Sequence, residues 1–344
     1  MGGLARRSSW LKDHKRTAHN TIVVDAGGLL TQNAMIGGER PGEVSARIDL
    51  VGKLYAQLGY AALNVGAHEL AAGLPELRRF AKIAKLQLIS ANLVDAKTEA
   101  PLFERYLLRQ IGPLKVALIG VMTSSPNDRG RLIDEQGLRV QEPTTALRNL
   151  VPELRKQGAE LIVVLSQLRR AELEGLANQV PGIDMVLGSM DMELTMQPIT
   201  VGRNTLFVDA FSKGKYVVDV ALSLRGRRDR FFVANLREAK LSERADAARQ
   251  VQDLTSQLED ADRPDGALKL VAETRKVMEA QLTGARAKLQ RLTYEVENAE
   301  TQVPADGSTV ELEAAALASS VVDDPPVDKL IKAFQEKYPK LGGH

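Results

Sequence analysis

Apolar residues recur at spacings of three and four through Val44, Ile48, Val51, Leu54 and Leu58, the repeat of one helix face. A helix is therefore predicted over about 43–58, with Gly59 stopping it. On either side lie short apolar runs of strand length at 21–25 and 60–65. The same alternation continues: helices over 4–16, 74–85 (Pro75 in its first turn), 143–157 and 170–178, and strands over 86–90, 106–111, 116–121, 160–165 and 183–187. The run Val116 to Val121 is continuously apolar, as expected of a strand buried on both faces.

Beyond this the pattern changes to strands alone, over 199–201, 205–209, 215–224 and 230–236, with Gly-rich turns between them. It changes again at about residue 241. Val271, Arg275, Met278, Leu282, Ala285, Leu289, Leu292 and Val296 are spaced alternately by four and three, a heptad seam. Ala248, Val251, Leu254 or Thr255, and Leu258 mark a shorter helix before it, and Arg263-Pro264-Asp265-Gly266 breaks the two apart. An antiparallel hairpin with helices over 242–261 and 267–298 is predicted. It either lies against its own domain or projects as an arm toward another chain, and polar Arg275 and small Ala285 weaken the seam as a free-standing coil. A short strand at Ser308 to Ala314 and a last helix, capped by Asp323-Asp324-Pro325-Pro326 and running through Tyr338, complete the chain. The expected division is 1–240, 241–300 and 301–344.

Composition narrows the function. The 344 residues suffice for one large domain or two ordinary ones. A net charge of +2 and only 4% aromatic residues argue against a nucleic-acid surface. The absence of cysteine excludes disulfides, thiolate zinc sites and covalent c-type haem attachment by this chain. No apolar run approaches the ~20 residues of a membrane span, and no signal peptide is expected at its start.

Two strand ends carry the candidate chemistry. Thr21-Ile22-Val23-Val24-Asp25-Ala26-Gly27-Gly28 ends a buried strand in Asp and opens into Gly. Asn64-Val65-Gly66-Ala67-His68-Glu69 follows the second strand and leads into a helix. Together with Gly2-Gly3-Leu4-Ala5-Arg6 and Ser90-Ala91-Asn92-Leu93, these stretches resemble the metallophosphoesterase family, most closely its 5'-nucleotidase branch. There the corresponding motifs read D-A-G-D, N-x-G-N-H-E, G-G-x-A-R and S-A-N-V. The resemblance covers about residues 1–240. It implies an α/β fold, a four-layer αββα sandwich of two mixed sheets with helices outside, to which the hairpin is appended.

The resemblance also locates the family's metal ligands, and this chain departs from them. The bridging carboxylate falls at Gly28 and the Asn ligand at Ala67. The His of L-S-H falls at Gln167, and the two His of G-G-H-x-H fall at Met190 and Met192. The family's upstream Asp-x-His strand has no counterpart, which leads us to expect a trimmed fragment. Met190 and Met192, with Met185 nearby, read either as a thioether copper site or as an apolar plug filling the cleft. His68 is the surviving family residue at the site, a vestigial catalytic group; its plain reading is a hydrogen-bonded helix-entry His. Asp25 reads as an acid/base or a turn former, and Glu69 as a first-turn residue.

The expectation is a catalytically degenerate domain kept as a binding or assembly module. The alternatives are an active phosphoester hydrolase using Asp25, His68, Glu69 and Asp191 or a metal site completed in trans, and an oligomerisation protein acting through its hairpin. No cofactor is expected, with a divalent metal such as Mn or Zn as the alternative. The partners expected are a protein or a second copy at 242–298, with no nucleic acid and no membrane span. The resemblance implies an extracytoplasmic setting, in the periplasm or cell envelope, next to haem-binding proteins.

Overall fold

A computed structural model describes residues 3–31, 41–124, 130–188, 190–191, 193–211, 214–234, 236–263, 271–298 and 303–338. The elements run α1 (Leu4–Thr17), β1 (Val23–Asp25), α2 (Pro41–Leu58), β2 (Tyr60–Asn64), α3 (Ala67–Ala71), α4 (Leu74–Ala84), β3 (Gln87–Ile89) and β4 (Leu93–Asp95). Next come β5 (Tyr106–Ile111), β6 (Leu114–Met122), α5 (Gly130–Glu135), β7 (Leu138–Val140), α6 (Pro143–Lys156), β8 (Leu161–Gln167), α7 (Arg170–Gln179) and β9 (Met185–Leu187). The remainder is β10 (Ile199–Val201), β11 (Thr205–Val208), β12 (Tyr216–Ser223), β13 (Arg227–Val233), α8 (Leu236–Asp262), α9 (Ala272–Asn298), β14 (Gly307–Ala316) and α10 (Pro325–Lys337).

By compact packing the chain falls into two units. One unit comprises 1–221 together with 311–344, and the other comprises 222–310. In the first unit β1, β2 and β3 form a parallel three-stranded sheet. A second sheet of six strands has the order β10-β11-β9-β8-β6-β5, parallel through its middle and closed at each edge by an antiparallel strand. Each sheet buries one face under helices. Val44, Ile48, Val51, Tyr55 and Leu58 of α2 and Leu77 and Phe80 of α4 cluster with Leu63 and Leu88 of the first sheet. Leu147, Leu150 and Leu154 of α6 and Leu173 and Leu176 of α7 cluster with Ile119, Ile162 and Val164 of the second. All seven residues of β8 are buried, so alternate side chains that do not meet the helices are covered from the opposite side. This is the αββα sandwich.

The two sheets meet closely at Gly120. A Cβ built there would lie 2.4 Å from the Ile89 carbonyl oxygen and 2.6 Å from Asn64 Oδ1, so only glycine fits. Beside it Asn64 Nδ2 donates to Val121 O at 2.9 Å and to Ala26 O at 3.1 Å, tying the end of β2 to β6 and to the loop after β1. The C-terminal segment packs on the same unit. Val327 of α10 meets Ala5, Leu54 and Ile331, and buried Asp324 accepts from Ser8 Oγ and, at 2.5 Å, from Lys12 Nζ.

In the second unit β13 pairs in parallel with β14. The strand expected over 230–236 starts earlier, and Leu236 is the first residue of α8. From Met278 onward the heptad seam is buried between the two long helices: Met278, Leu282, Ala285, Leu292 and Val296 are covered, with Val251, Leu254 and Leu258 of α8 against the first two, whereas Val271, its expected first position, precedes α9 and is 68% exposed. The covered alanine of α8 is Ala247, not Ala248, which places 247, 251, 254 and 258 on one true heptad. Arg275 is held at the seam's edge by Asp262 at 2.5 Å and Glu279 at 2.8 Å. The break at 264–270 lies outside the described residues. None of the described helices is long and apolar enough to cross a membrane, and nothing in the described residues indicates a nucleic-acid surface.

Candidate functional site

The parallel strands β1, β2, β6, β8, β9 and β11 end on Asp25, Asn64, Met122, Gln167, Leu187 and Val208, and loops at such carboxyl ends are where α/β sheets mount their sites. Asp25 Oδ1 accepts the Gly27 N–H at 2.8 Å, and Oδ2 accepts the Tyr55 hydroxyl at 2.7 Å. Behind it Arg7 donates to both Tyr55 and Tyr60 hydroxyls at 3.2 Å, and the two rings stack with centroids 4.0 Å apart. Burial pushes the Tyr55 hydroxyl well up, and the Asp25 charge adds to it; burial raises Tyr60 as well. Burial alone would lower Arg7, but the tyrosines and Asp25 outweigh it and hold the guanidinium above its ordinary value. Asp25 is thus the acceptor of a turn and of a buried polar chain, which is the plain reading of this residue.

Glu69, fully buried in the short helix α3, accepts Leu29 N–H at 2.7 Å, Gly66 N–H at 3.1 Å and Gln167 Nε2 at 3.3 Å. Its carboxylate therefore joins the loops after β1 and β2 to the end of β8. Gln167 also donates to Ala26 O at 3.4 Å. The amide is clamped: a Cβ at Gly27 would fall 1.9 Å from Gln167 Nε2, and one at Gly66 would fall 1.9 Å from Oε1. His68 donates from Nδ1 to Thr31 O at 2.9 Å while Thr31 Oγ1 donates to His68 O at 2.8 Å. That exchange fixes Nε2 as the lone-pair nitrogen of the neutral ring.

Gly27, Gly66 and Gln167 are therefore in direct contact. Gly28 and Ala67 are their chain neighbours, and Met190 is tied in by its N–H to Leu168 O at 2.9 Å. Met192 lies outside the described residues. Asp191 accepts the Arg170 N–H at 2.5 Å, and Glu172 accepts Arg169 N–H at 2.8 Å and Thr123 Oγ1 at 2.6 Å, so both serve the start of α7. Sequence reasoning missed Arg7, Tyr55, Thr31 and the structural part of Asn64. Only Asn64 carried a signal, as the first letter of the motif around His68.

No family model matches the chain. A 2',3'-cyclic-nucleotide 2'-phosphodiesterase/3'-nucleotidase of Yersinia enterocolitica is 31% identical over 207 residues, covering 54% of this chain and 31% of that protein. The snake venom 5'-nucleotidase of Crotalus adamanteus is 25% identical over 244 residues, covering 63% of this chain and 39% of that protein. Among solved structures, a 5'-nucleotidase precursor from Thermus thermophilus superposes with a TM-score of 0.62 at 18% identity, over 100% of this chain and 54% of that one. The calcineurin-like phosphoesterase YfkN of Bacillus subtilis gives 0.59 at 17% identity, over 98% of this chain and 89% of that one. In sequence the chain is similar to these nucleotidases and phosphodiesterases, and in fold to metallophosphoesterases. It spans 31% to 39% of the length of these two curated relatives.

This similarity corrects one expectation. A metallophosphoesterase-like chain is not expected to be free of cofactors, because members of this superfamily work with metal ions that clamp the attacking and leaving oxygens of the phosphoester. The described donors do not fit such a clamp. Among the described residues no three of His, Cys, Asp and Glu are gathered for a cation. The rim carboxylates of Asp25 and Glu69 already accept from backbone N–H groups and from Tyr55 and Gln167.

Proposed function

We propose that the chain is a nucleotidase-like module that binds at the rim of its sandwich and does not hydrolyse phosphoesters. The observation that carries this is the Gln167 amide, locked between Gly27 and Gly66 and hydrogen-bonded to Glu69. An amide there supplies neither a carboxylate nor an imidazole. A well-placed general acid is worth ~10²–10⁴-fold, below the ~10⁶-fold at which enzymes begin, so His68 without a metal clamp does not make this chain a hydrolase. The test is turnover of p-nitrophenyl phosphate and AMP in excess manganese, compared with a His68→Ala control.

A second reading, an active phosphoester hydrolase, has two observations in its favour. The curated relatives carry nucleotidase and phosphodiesterase names. A Cβ built at Gly28 meets nothing within 4 Å, so space remains at that motif position. The same assay decides between the two.

The setting we propose is extracytoplasmic, by resemblance to the family. Contact with a protein partner through 242–298 belongs to the same proposal. It would use the outer faces of the hairpin, where Val277 and Tyr294 are exposed, because the apolar seam is covered by α8.

A further inference from the structure

We infer that the outer face of α9 pairs antiparallel with the same face of a second copy of this chain. This rests on the reading that the hairpin meets a protein partner, and it names that partner. The face is a second heptad row, distinct from the seam under α8. Val277, Ala280, Gly284, Ala287, Arg291 and Tyr294 follow one another by three and four residues in turn.

All six are exposed, and the two large apolar side chains stand near the ends of the row, Val277 at 51% and Tyr294 at 67%. Gly284, a poor helix former, sits in mid-helix, and a Cβ built there meets nothing within 4 Å. Glycine at the centre of an exposed row lets another backbone come close.

Two such rows, turned antiparallel about the point midway between Gly284 and Ala287, mesh layer by layer. Gly284 faces Ala287 of the second copy, Ala280 faces its Arg291, and Val277 faces its Tyr294. A valine–tyrosine pair thus closes each end of a centre built from small residues. The charges along the row select this orientation. Lys276 lies beside Val277, and Glu297 lies in the last turn; both are exposed, and neither has an ion-pair partner among the described residues. Antiparallel pairing brings Lys276 of each copy beside Glu297 of the other. Parallel pairing would instead set Arg291 against Arg291 and Glu273 against Glu273. The same patch on both copies makes the contact isologous, so it closes as a two-fold dimer.

The chain has no cysteine, so single introduced cysteines report the pairing. Ala280→Cys and Arg291→Cys leave Val277 and Tyr294 in place. Mixed and oxidised with diamide, these two full-length variants should form a disulfide between unlike chains. Neither should cross-link alone: like positions would be offset by eleven residues, about 16 Å along the axis, beyond the ~7 Å reach of a disulfide. Sedimentation equilibrium of the unmodified chain should show a dimer, and Val277→Glu should weaken it about tenfold or more. Lys276→Glu should weaken it too, and adding Glu297→Lys should restore it. Disulfides between like chains in place of unlike ones overturn the antiparallel pairing and leave the hairpin as a contact. A strict monomer at high concentration overturns the second copy as partner, and the partner reading then stands only for a different protein. A dimer indifferent to Val277→Glu that gives no disulfide lies off this face and overturns the pairing.

Discussion

Replacing Gly66 with alanine tests the clamp on Gln167 without straining the backbone, because Gly66 lies at φ −129° and ψ −165°, where alanine is comfortable. The new methyl group would lie 1.9 Å from Gln167 Oε1 and 2.2 Å from its Cδ, so the amide must leave. Overpacking of this kind costs ~1–3 kcal/mol. The displaced amide also loses its bonds to Glu69 and Ala26 O, each worth about 1 kcal/mol. The single variant should therefore lose about 3 kcal/mol. Gln167→Ala alone gives up those two bonds without any overlap and should lose about 2 kcal/mol. In the double variant the methyl group enters the space that the amide has vacated. Its loss should be close to that of Gln167→Ala alone, so the two changes are coupled by about 3 kcal/mol. Urea unfolding of all four proteins, followed by far-ultraviolet ellipticity, measures the cycle. Additivity within ~0.5 kcal/mol would refute the clamp.

Tyr55→Phe removes the hydroxyl that donates to Asp25 and receives Arg7, and should cost about 2 kcal/mol in the same unfolding assay; an unchanged midpoint would show that the polar chain behind β1 is not structural. Burial alone would raise the Asp324 carboxyl, but Lys12 and Ser8 outweigh it and hold it below the usual carboxylate range. A depressed folded-state value contributes stability at neutral pH that is lost as pH falls through that value. Asp324→Asn should therefore be less stable than wild type at pH 7 and converge with it in acid. Parallel stability curves from pH 7 down to pH 2 would contradict this.

Where a pattern repeats over several turns or fills a whole strand, the sequence was enough. The spacing from Val44 to Leu58 and the apolar run at 116–121 each named an element that the structure contains. The three-residue ladder of β4 with β7 was not legible, because so few residues establish no period, and α3 was legible only as a helix entered at His68 and Glu69, without its end. The run Arg225-Gly226-Arg227-Arg228-Asp229-Arg230 reads as a polar turn, yet β13 begins at Arg227. In the hairpin, neighbouring alanines gave no means of choosing between Ala247 and Ala248; packing against α9 chose. The site was legible as a place but not as a set of contacts. The resemblance to the family, not any spacing in the chain, pointed to Gly28, Ala67 and Gln167 together, whereas the roles of Asp25 and Glu69 depend on partners up to 98 residues away in the chain.

The central claim is that this metallophosphoesterase-like sandwich binds at its rim without hydrolysing phosphoesters. Steady-state turnover of AMP and p-nitrophenyl phosphate by the unmodified chain in excess manganese, beside His68→Ala, tests it most directly. The account predicts that the two proteins release phosphate at the same background rate. Phosphate release by the unmodified chain well above that of His68→Ala would contradict it and establish the hydrolase.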